Sequence, residues 1–423
     1  MRTLSTNLEL HEREIPDDAL PDLIKDAVVT CRRLGIPNLW VDRLCLVQDS
    51  SEWNDESGRM DIVYGRAAFT LTICSSESAS QGFLNEHYGE TLQVKSGVGL
   101  AGLVVQKWPR NDLKLVRPCS ALASRVWTFQ EEMLSSRILY WTANAMYWSC
   151  LEGWCREGEA TAKSYMTDIS QGDDVALNPH RLLLHPEQHL SWTSVIEEYS
   201  MRTSTRAEDR LQALSGLARY YNEGKNSVYL AGHWHSDLPA SLLWKPTWIQ
   251  SVHNVVQRLS IAPSWSWASY PKGVYFFEPT DLEVRAVLLN HHIMPESGRP
   301  SANCFGPVES GCLLLEARMT TIVIGLQPEN EKFEGGWDST WYSSCGDCTV
   351  SSDYGPLHDV SPLYAIEIGI RSECRAPGIA YFLVVRAMDD NSYRRVGMGI
   401  GRTRIDEPPL IPPDTEYREI TLC

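Results

Sequence analysis

Long apolar runs are missing from this chain of 423 residues. No stretch reaches about 18 uninterrupted apolar residues, so no membrane span is expected. The first residues, MRTLSTNLELHERE, hold no apolar core of the signal-peptide type. Positive charge is scarce: 38 Lys and Arg stand against 54 Asp and Glu, a net charge of -16. Neutralising a phosphate backbone needs a basic field, so nucleic acid is not an expected partner. Neither a Gly-x-x-x-x-Gly-Lys-Ser/Thr loop nor a Gly-x-Ser-x-Gly elbow occurs. Metal-ligand spacing is equally thin. Cys345 and Cys348 form one Cys-x-x-Cys in a Ser/Gly/Asp-rich stretch without a second pair, and His233 and His235 lack a third ligand at useful spacing. No cofactor is implied.

Aromatic residues, by contrast, are plentiful, with 15 Trp. Large rings need a deep core or a concave surface, which makes a ring-lined pocket for a small-molecule ligand a reasonable expectation. A chain this long exceeds one hydrophobic core, so two packed lobes are expected. The 12 cysteines are scattered, several in apolar runs (Cys31, Cys45, Cys74). Without a secretory signal they suggest reduced, buried small hydrophobes in a cytoplasmic protein.

Helical spacing runs through Leu20, Leu23, Ile24, Ala27, Val28, Cys31 and Leu34, with Gly35 placed as a C-cap. The run Asn38–Val47 suits a buried strand, and Asp49 to Glu52 resembles a capping box opening a helix to about Ala67. Phe69–Cys74 alternates as a strand, so helix and strand interleave as in a parallel, doubly wound sheet. A helix is expected over Ser124–Leu134, then a hairpin from Ile138–Trp141 and Ala145–Trp148. Lys163 to His189 is polar, a loop or lid. Trp192 to Tyr221 returns to helix. Beyond Ser269, short alternating strands (Val284–Leu289, Cys312–Leu315, Thr321–Ile324, Ala380–Val385) predict a mostly antiparallel β lobe. The fold class is therefore α+β.

Four segments stand out. The first is Leu39-Trp-Val-Asp-Arg-Leu-Cys-Leu-Val-Gln-Asp49, followed by Glu52, Trp53, Glu56, Met60 and Tyr64. The second is Arg125-Val-Trp-Thr-Phe-Gln-Glu131 with Leu134 and Arg137. The third is Asp209-Arg-Leu-Gln-Ala-Leu-Ser-Gly-Leu217, and the fourth Pro263-Ser-Trp-Ser-Trp-Ala-Ser269. In this order they resemble the signatures of the fungal heterokaryon-incompatibility (HET) domain family. The resemblance implies a nonself-recognition protein that triggers cell death, and a distant relationship to TIR domains, some of which hydrolyse NAD with a glutamate. Glu52-Trp53-Asn-Asp-Glu56 is similar to the patch around that glutamate. Members usually open with a strand carrying a Leu-Ser-Tyr-x-Trp-Gly-like motif; this sequence starts at Met1-Arg-Thr-Leu-Ser-Thr-Asn7 without it. On this resemblance the expected organisation is a HET-like α/β domain over 1–160 with a TIR-like parallel sheet, a helical and loop connection over 161–262, and a β-rich domain over 263–423.

Trp53, Glu56, Met60, Val63, Tyr64 and Ala67 share one helix face. A carboxylate on that stripe must be paired or open onto a cleft. Glu56 is thus either an ion-pair partner of Arg43 or Arg125, or a catalytic carboxylate. Asp42 is placed at the C-terminal edge of the expected strand, where open α/β sheets bind ligands; the alternative is a turn acceptor. Gln48 reaches the same edge. Arg125, Trp127, Gln130 and Glu131 fall on about one helix face, either clamping a polar ligand or joining a buried network. Trp265 and Trp267, two apart, form a paired aromatic wall or a core anchor. The catalytic candidates are Glu56 and Asp42. The ligand-binding candidates are Trp53, Gln48, Arg125, Trp127, Gln130, Glu131, Trp265 and Trp267. Three functions fit: a cell-death effector with a nucleotide-hydrolysing pocket, a cofactor-independent cyclase or rearrangement enzyme of a natural-product pathway, and an interaction module that binds a protein partner or self-associates.

Overall fold

The computed structural model describes residues 1–50, 56, 59–84, 90–93, 104–107, 120–143, 145–158, 180, 191–223, 225–247, 256–295, 304–322, 324–326, 341–343, 348–353, 362–373, 376–402 and 410–423. The chain divides into two units, Met1–Leu190 and Ser191–Cys423. It is α+β, with one parallel pair in the first unit's main sheet and a mostly antiparallel sheet in the second. Among the described residues no helix is long and apolar enough to cross a membrane.

In the first unit, helix α1 (Leu8–Arg13) precedes α2 (Asp22–Leu34), which buries Ile24, Ala27 and Cys31 along the expected stripe. Gly35 ends α2 at φ 68°, a left-handed cap that glycine adopts without a Cβ penalty. The expected strand at 38–47 is not there. Asp42–Cys45 is instead a short helix, α3. A short apolar run satisfies either conformation, and here Asp42 leads the chain into a turn of helix. Helix α4 (Met60–Arg66) and helix α5 (Val126–Leu134) follow and pack together. The proposed capping box and the start of that helix fall largely on residues 51–55, outside the described set.

Strand β1 (Thr70–Ile73) pairs parallel with β2 (Arg137–Trp141); β2, β3 (Met146–Cys150) and β4 (Gly153–Arg156) then run antiparallel. The doubly wound expectation thus reduces to one parallel pair, because the chain returns from β2 by a hairpin rather than a crossover helix. Alternation along β2 sorts its side chains onto two faces. Ile138 and Tyr140 join Ala145, Tyr147 and Trp154. Trp141 joins Ala27, Ile73 and Phe83, which brings α2 onto the other face.

In the second unit the single helix expected over Trp192–Tyr221 is three: α6 (Trp192–Ser200), α7 (Asp209–Gln212) and α8 (Ser215–Asn222). The β part holds β5 (Val287–Pro295), β6 (Val308–Ile322), β7 (Cys348–Ser352), β8 (Leu363–Glu373), β9 (Ala376–Ala387), β10 (Tyr393–Arg402) and β11 (Tyr417–Leu422). The first part of β6 pairs with β11, and its last four residues, Met319–Ile322, pair with β8. Since β8 pairs β9, β9 pairs β10, and β10 meets β11 at Tyr393 and Leu422, the pairings form a closed ring. Ile322, Val350, Leu363, Ala365, Phe382 and Val384 cluster in its core. Closure removes edges that would otherwise need protection.

Two charged pairs are buried here. Arg318 grips Glu367 with two bonds of 2.7 and 2.6 Å. Arg395, wholly buried, bonds Asp353 at 2.8 Å and the carbonyls of Leu242 and Trp244, with its guanidinium 3.6 Å from the Trp244 ring. Cysteine usage departs from the uniformly reduced expectation: Cys312 on β6 is bonded to Cys423 at the chain's last position. Cys45 is exposed rather than buried.

Candidate functional site

The first two signature segments meet at one tyrosine. Met60 is buried and Tyr64 follows one turn later on α4, so α4 turns both toward α5. The Tyr64 ring meets Trp40 edge-on at 5.8 Å, and its hydroxyl donates to the Glu131 carboxylate on α5. Its acidity falls far below that of an ordinary phenol, first through burial, then through the negative charges of Glu131 and Asp42; Arg125 pulls weakly the other way. The hydroxyl therefore stays protonated and donating at any working pH. Asp42, Arg125 and Glu131, all chosen from sequence, are thus brought together. Tyr64 carries no such signal in the sequence, because a tyrosine on an apolar stripe reads as core.

The other candidates are distributed differently. Asp42 opens α3, is exposed, and accepts from its neighbour Arg43 N–H at 2.6 Å. Gln48 donates through Nε2 to the carbonyls of Asp42 (3.1 Å) and Leu46 (3.3 Å), tying down the turn that carries Asp42. Trp127 is half-buried and Arg125 exposed. Gln130 is fully buried, with neither amide atom hydrogen-bonded among the described residues. An unpaired buried amide is uncommon and costly, of order 1–3 kcal/mol. Glu56 pairs with Arg59 at 3.5 Å rather than with Arg43 or Arg125, and its side chain is 36% exposed. Such a pair contributes little. Trp53 lies outside the described residues.

Trp265 and Trp267 belong to the second unit and are wholly buried. Trp267 begins a 3-10 turn, not a strand. Both indole N–H groups donate to backbone carbonyls, Trp265 to Gly311 (3.2 Å) and Trp267 to Gly232 (3.0 Å). Arg210 of the third signature lies 5.2 Å over the Trp267 ring. His233 is buried against Trp265 and Phe276, with Nδ1 3.0 Å from Ser241 Oγ. Among the described residues no group of three or more His, Cys, Asp or Glu is placed to hold a metal ion.

Three further features bear on chemistry. Ser149 Oγ lies 2.7 Å from His180 Nε2, whose Nδ1 lies 2.9 Å from the Ser135 carbonyl. With Nδ1–H donating to that carbonyl, Nε2 accepts from Ser149, the arrangement of a nucleophile and its base. Both side chains are wholly buried, however, and Ser135 is the C-cap of α5, so the pair anchors the end of that helix. Thirty-one residues separate the two, and no local motif announces them. Second, Gly97-Val98-Gly99-Leu100-Ala101-Gly102 has Gly-x-Gly-x-x-Gly spacing. It lies outside the described residues, but the strands flanking it, Glu90–Gln93 and Val104–Lys107, pair antiparallel. A dinucleotide fingerprint needs a strand before it and a helix after it, whereas Val104–Lys107 after this one is a strand. Third, a groove of about 310 Å³ along α2 is lined by Asp17, Asp18, Lys25, Val28, Val29 and Arg32. No sequence-predicted site residue lines it, and Arg32 there pairs with Asp17 at 3.2 Å.

Residues 2–131 match the family described as Heterokaryon incompatibility protein (HET), a segment holding the first signature, Arg125–Glu131 of the second and every residue of the Tyr64 cluster. No curated protein and no solved structure matches the chain.

Proposed function

We propose that this chain acts as an incompatibility-type nonself-recognition protein and cell-death effector, and that the cluster around Tyr64 engages a small polar ligand. The carrying observation is that Asp42, Arg125 and Glu131, from two separate segments of the matched region, all act on one tyrosine hydroxyl. Two carboxylates against one guanidinium leave the cluster net negative, beside the ring of Trp40. That combination suits a ligand rich in hydroxyl groups or carrying positive charge, stacked on a ring and hydrogen-bonded by its edge. Glu131 is the residue we assign the acceptor role, with Tyr64 as fixed donor and Arg125 as counter-charge.

The test is induced expression in a filamentous fungus of the parent, Glu131→Gln and Glu56→Gln, scored for viability, with NAD consumption by the purified proteins followed by mass spectrometry. Glu131→Gln keeps the shape but removes the charge, and should lose killing at unchanged protein level. Where NAD is the ligand, turnover should fall by the order of 10²-fold in the same variant. A Glu131→Gln chain as lethal as the parent would refute the assignment, whatever Glu56→Gln does.

A further inference from the structure

Strand β5 ends the second unit's sheet. It pairs with β6 along one side from Val287 to Pro295, and no described strand pairs its other side. Exposed edges are normally blunted by charge, by proline or by shortness, because a row of unpaired N–H and C=O groups is a template for another strand. This edge has almost none of that protection. It is nine residues long, none of them Asp, Glu, Lys or Arg, and its proline sits at the last position. Val287, Leu289 and Met294 are 49%, 44% and 45% exposed, which places apolar side chains in water on a chain of net charge -16. Two irregularities, between Leu288 and Asn290 and between Met294 and Pro295, lie toward its ends and leave the centre regular.

The order of side chains says what fits there. Written out, the strand is Val-Leu-Leu-Asn-His-His-Ile-Met-Pro: three apolar, three polar, three apolar. About His291 it is symmetric in polarity. Laid antiparallel on itself, Leu289 faces Ile293, Leu288 faces Met294, Val287 faces Pro295, Asn290 faces His292, and His291 faces its own copy. Strand pairs gain from such matching, and like charges directly opposite are penalised. Two copies each at -16 repel, and a strand free of carboxylates is where they can approach. We propose that β5 is the seat of a two-fold, antiparallel strand pairing between two copies of this chain, centred on His291. A nine-residue ribbon buries less than a standard interface, so the dimer is weak and concentration-dependent.

Sedimentation velocity on the full chain from about 1 to about 100 µM spans the range where such a dimer forms. The parent should move from monomer toward dimer. Leu289→Lys and His292→Lys, which add charge to the edge, should stay monomeric with the parent's circular dichroism and thermal midpoint. Met201→Lys, at another exposed apolar position of the same unit, should still dimerise. A chemical test fixes the axis. In a Cys45→Ser/Cys304→Ser background, His291→Cys should oxidise to a covalent dimer, because facing strand positions lie within disulfide reach, whereas Leu288→Cys should not. A parent that remains monomeric throughout, a dimer indifferent to Leu289→Lys, or crosslinking no better at 291 than at 288 would overturn the proposal.

Discussion

Acidification should unfold the second unit by way of His233. Its ring is 1% exposed, and burial first, then the positive charge of Arg395, lower its pKa from 6.5 to about 3. Its Nε2 has no hydrogen-bond partner among the described residues. The folded state therefore keeps this imidazole neutral where the unfolded chain protonates it. Below pH 6.5 the unfolded state binds more protons, so stability falls as pH falls, beginning near 6.5 and ending near 3. Each unit of separation is worth about 1.36 kcal/mol, so the 3.5 units between 6.5 and 3 set a ceiling of about 5 kcal/mol. At pH 5, some 1.5 units below the unfolded value, the loss is about 2 kcal/mol by the same conversion. Urea titrations at pH 7.5, 6.5, 5.5 and 5, followed by tryptophan fluorescence, measure this directly. The comparison is with His233→Gln, which keeps a polar side chain but cannot titrate. That variant starts less stable, yet its stability should change by about 2 kcal/mol less between pH 7.5 and pH 5. Parallel pH profiles for parent and variant would refute the reasoning.

Two other perturbations probe the same unit. Asp353→Asn removes the carboxylate that faces wholly buried Arg395 and should cost about 3–5 kcal/mol by chemical denaturation, because a stranded charge is worse than no pair; a loss under about 1 kcal/mol would mean the backbone carbonyls alone hold the guanidinium. Gly232→Ala should cost at least about 2 kcal/mol, since φ there is 101° and an added Cβ would sit 2.4 Å from Trp267 Nε1; a thermal midpoint equal to the parent's would count against that backbone geometry.

How much was legible depended on range. Helix α2 was readable because seven apolar residues and a terminal glycine repeat one local rule. The hairpin of β2 and β3 was readable because alternation and a short turn are also local. The stretch 38–47 was not, since a short apolar run has no length to show a period, and Asp42 within it fits a strand edge or a helix start equally well. The site divides along the same line. Asp42, Arg125 and Glu131 could be chosen as charged residues inside apolar segments, where each needs a reason. Tyr64 could not, because its role comes from the hydroxyl at the end of a ring that packs like any other. The closed ring of β6, β8, β9, β10 and β11, and the bond joining Cys312 to Cys423 across 111 residues, depend on packing that no window of sequence contains.

The geometry within each unit separates the four signature segments by task. In the first unit, residues of the first and second segments act together on one tyrosine hydroxyl, with Asp42 and Arg125 exposed beside it. In the second, residues of the third and fourth segments are bound to each other and to nearby backbone carbonyls. Arg210 spends one nitrogen on the Lys272 carbonyl and its face on Trp267; Ser264 reaches the carbonyl of Cys423; Ser266 reaches that of Ala231 at 2.6 Å; and Trp265 accepts the Trp244 indole on its carbonyl. A tryptophan whose N–H is already committed to backbone and whose rings are wholly covered is a strut. Sequence patterns in the two units look equally strong, since both combine aromatic rings with charged or hydroxyl groups at short spacing. The difference lies in the company each motif keeps: in the second unit rings and hydroxyls bond backbone carbonyls, whereas in the first two carboxylates and a guanidinium gather on one tyrosine hydroxyl.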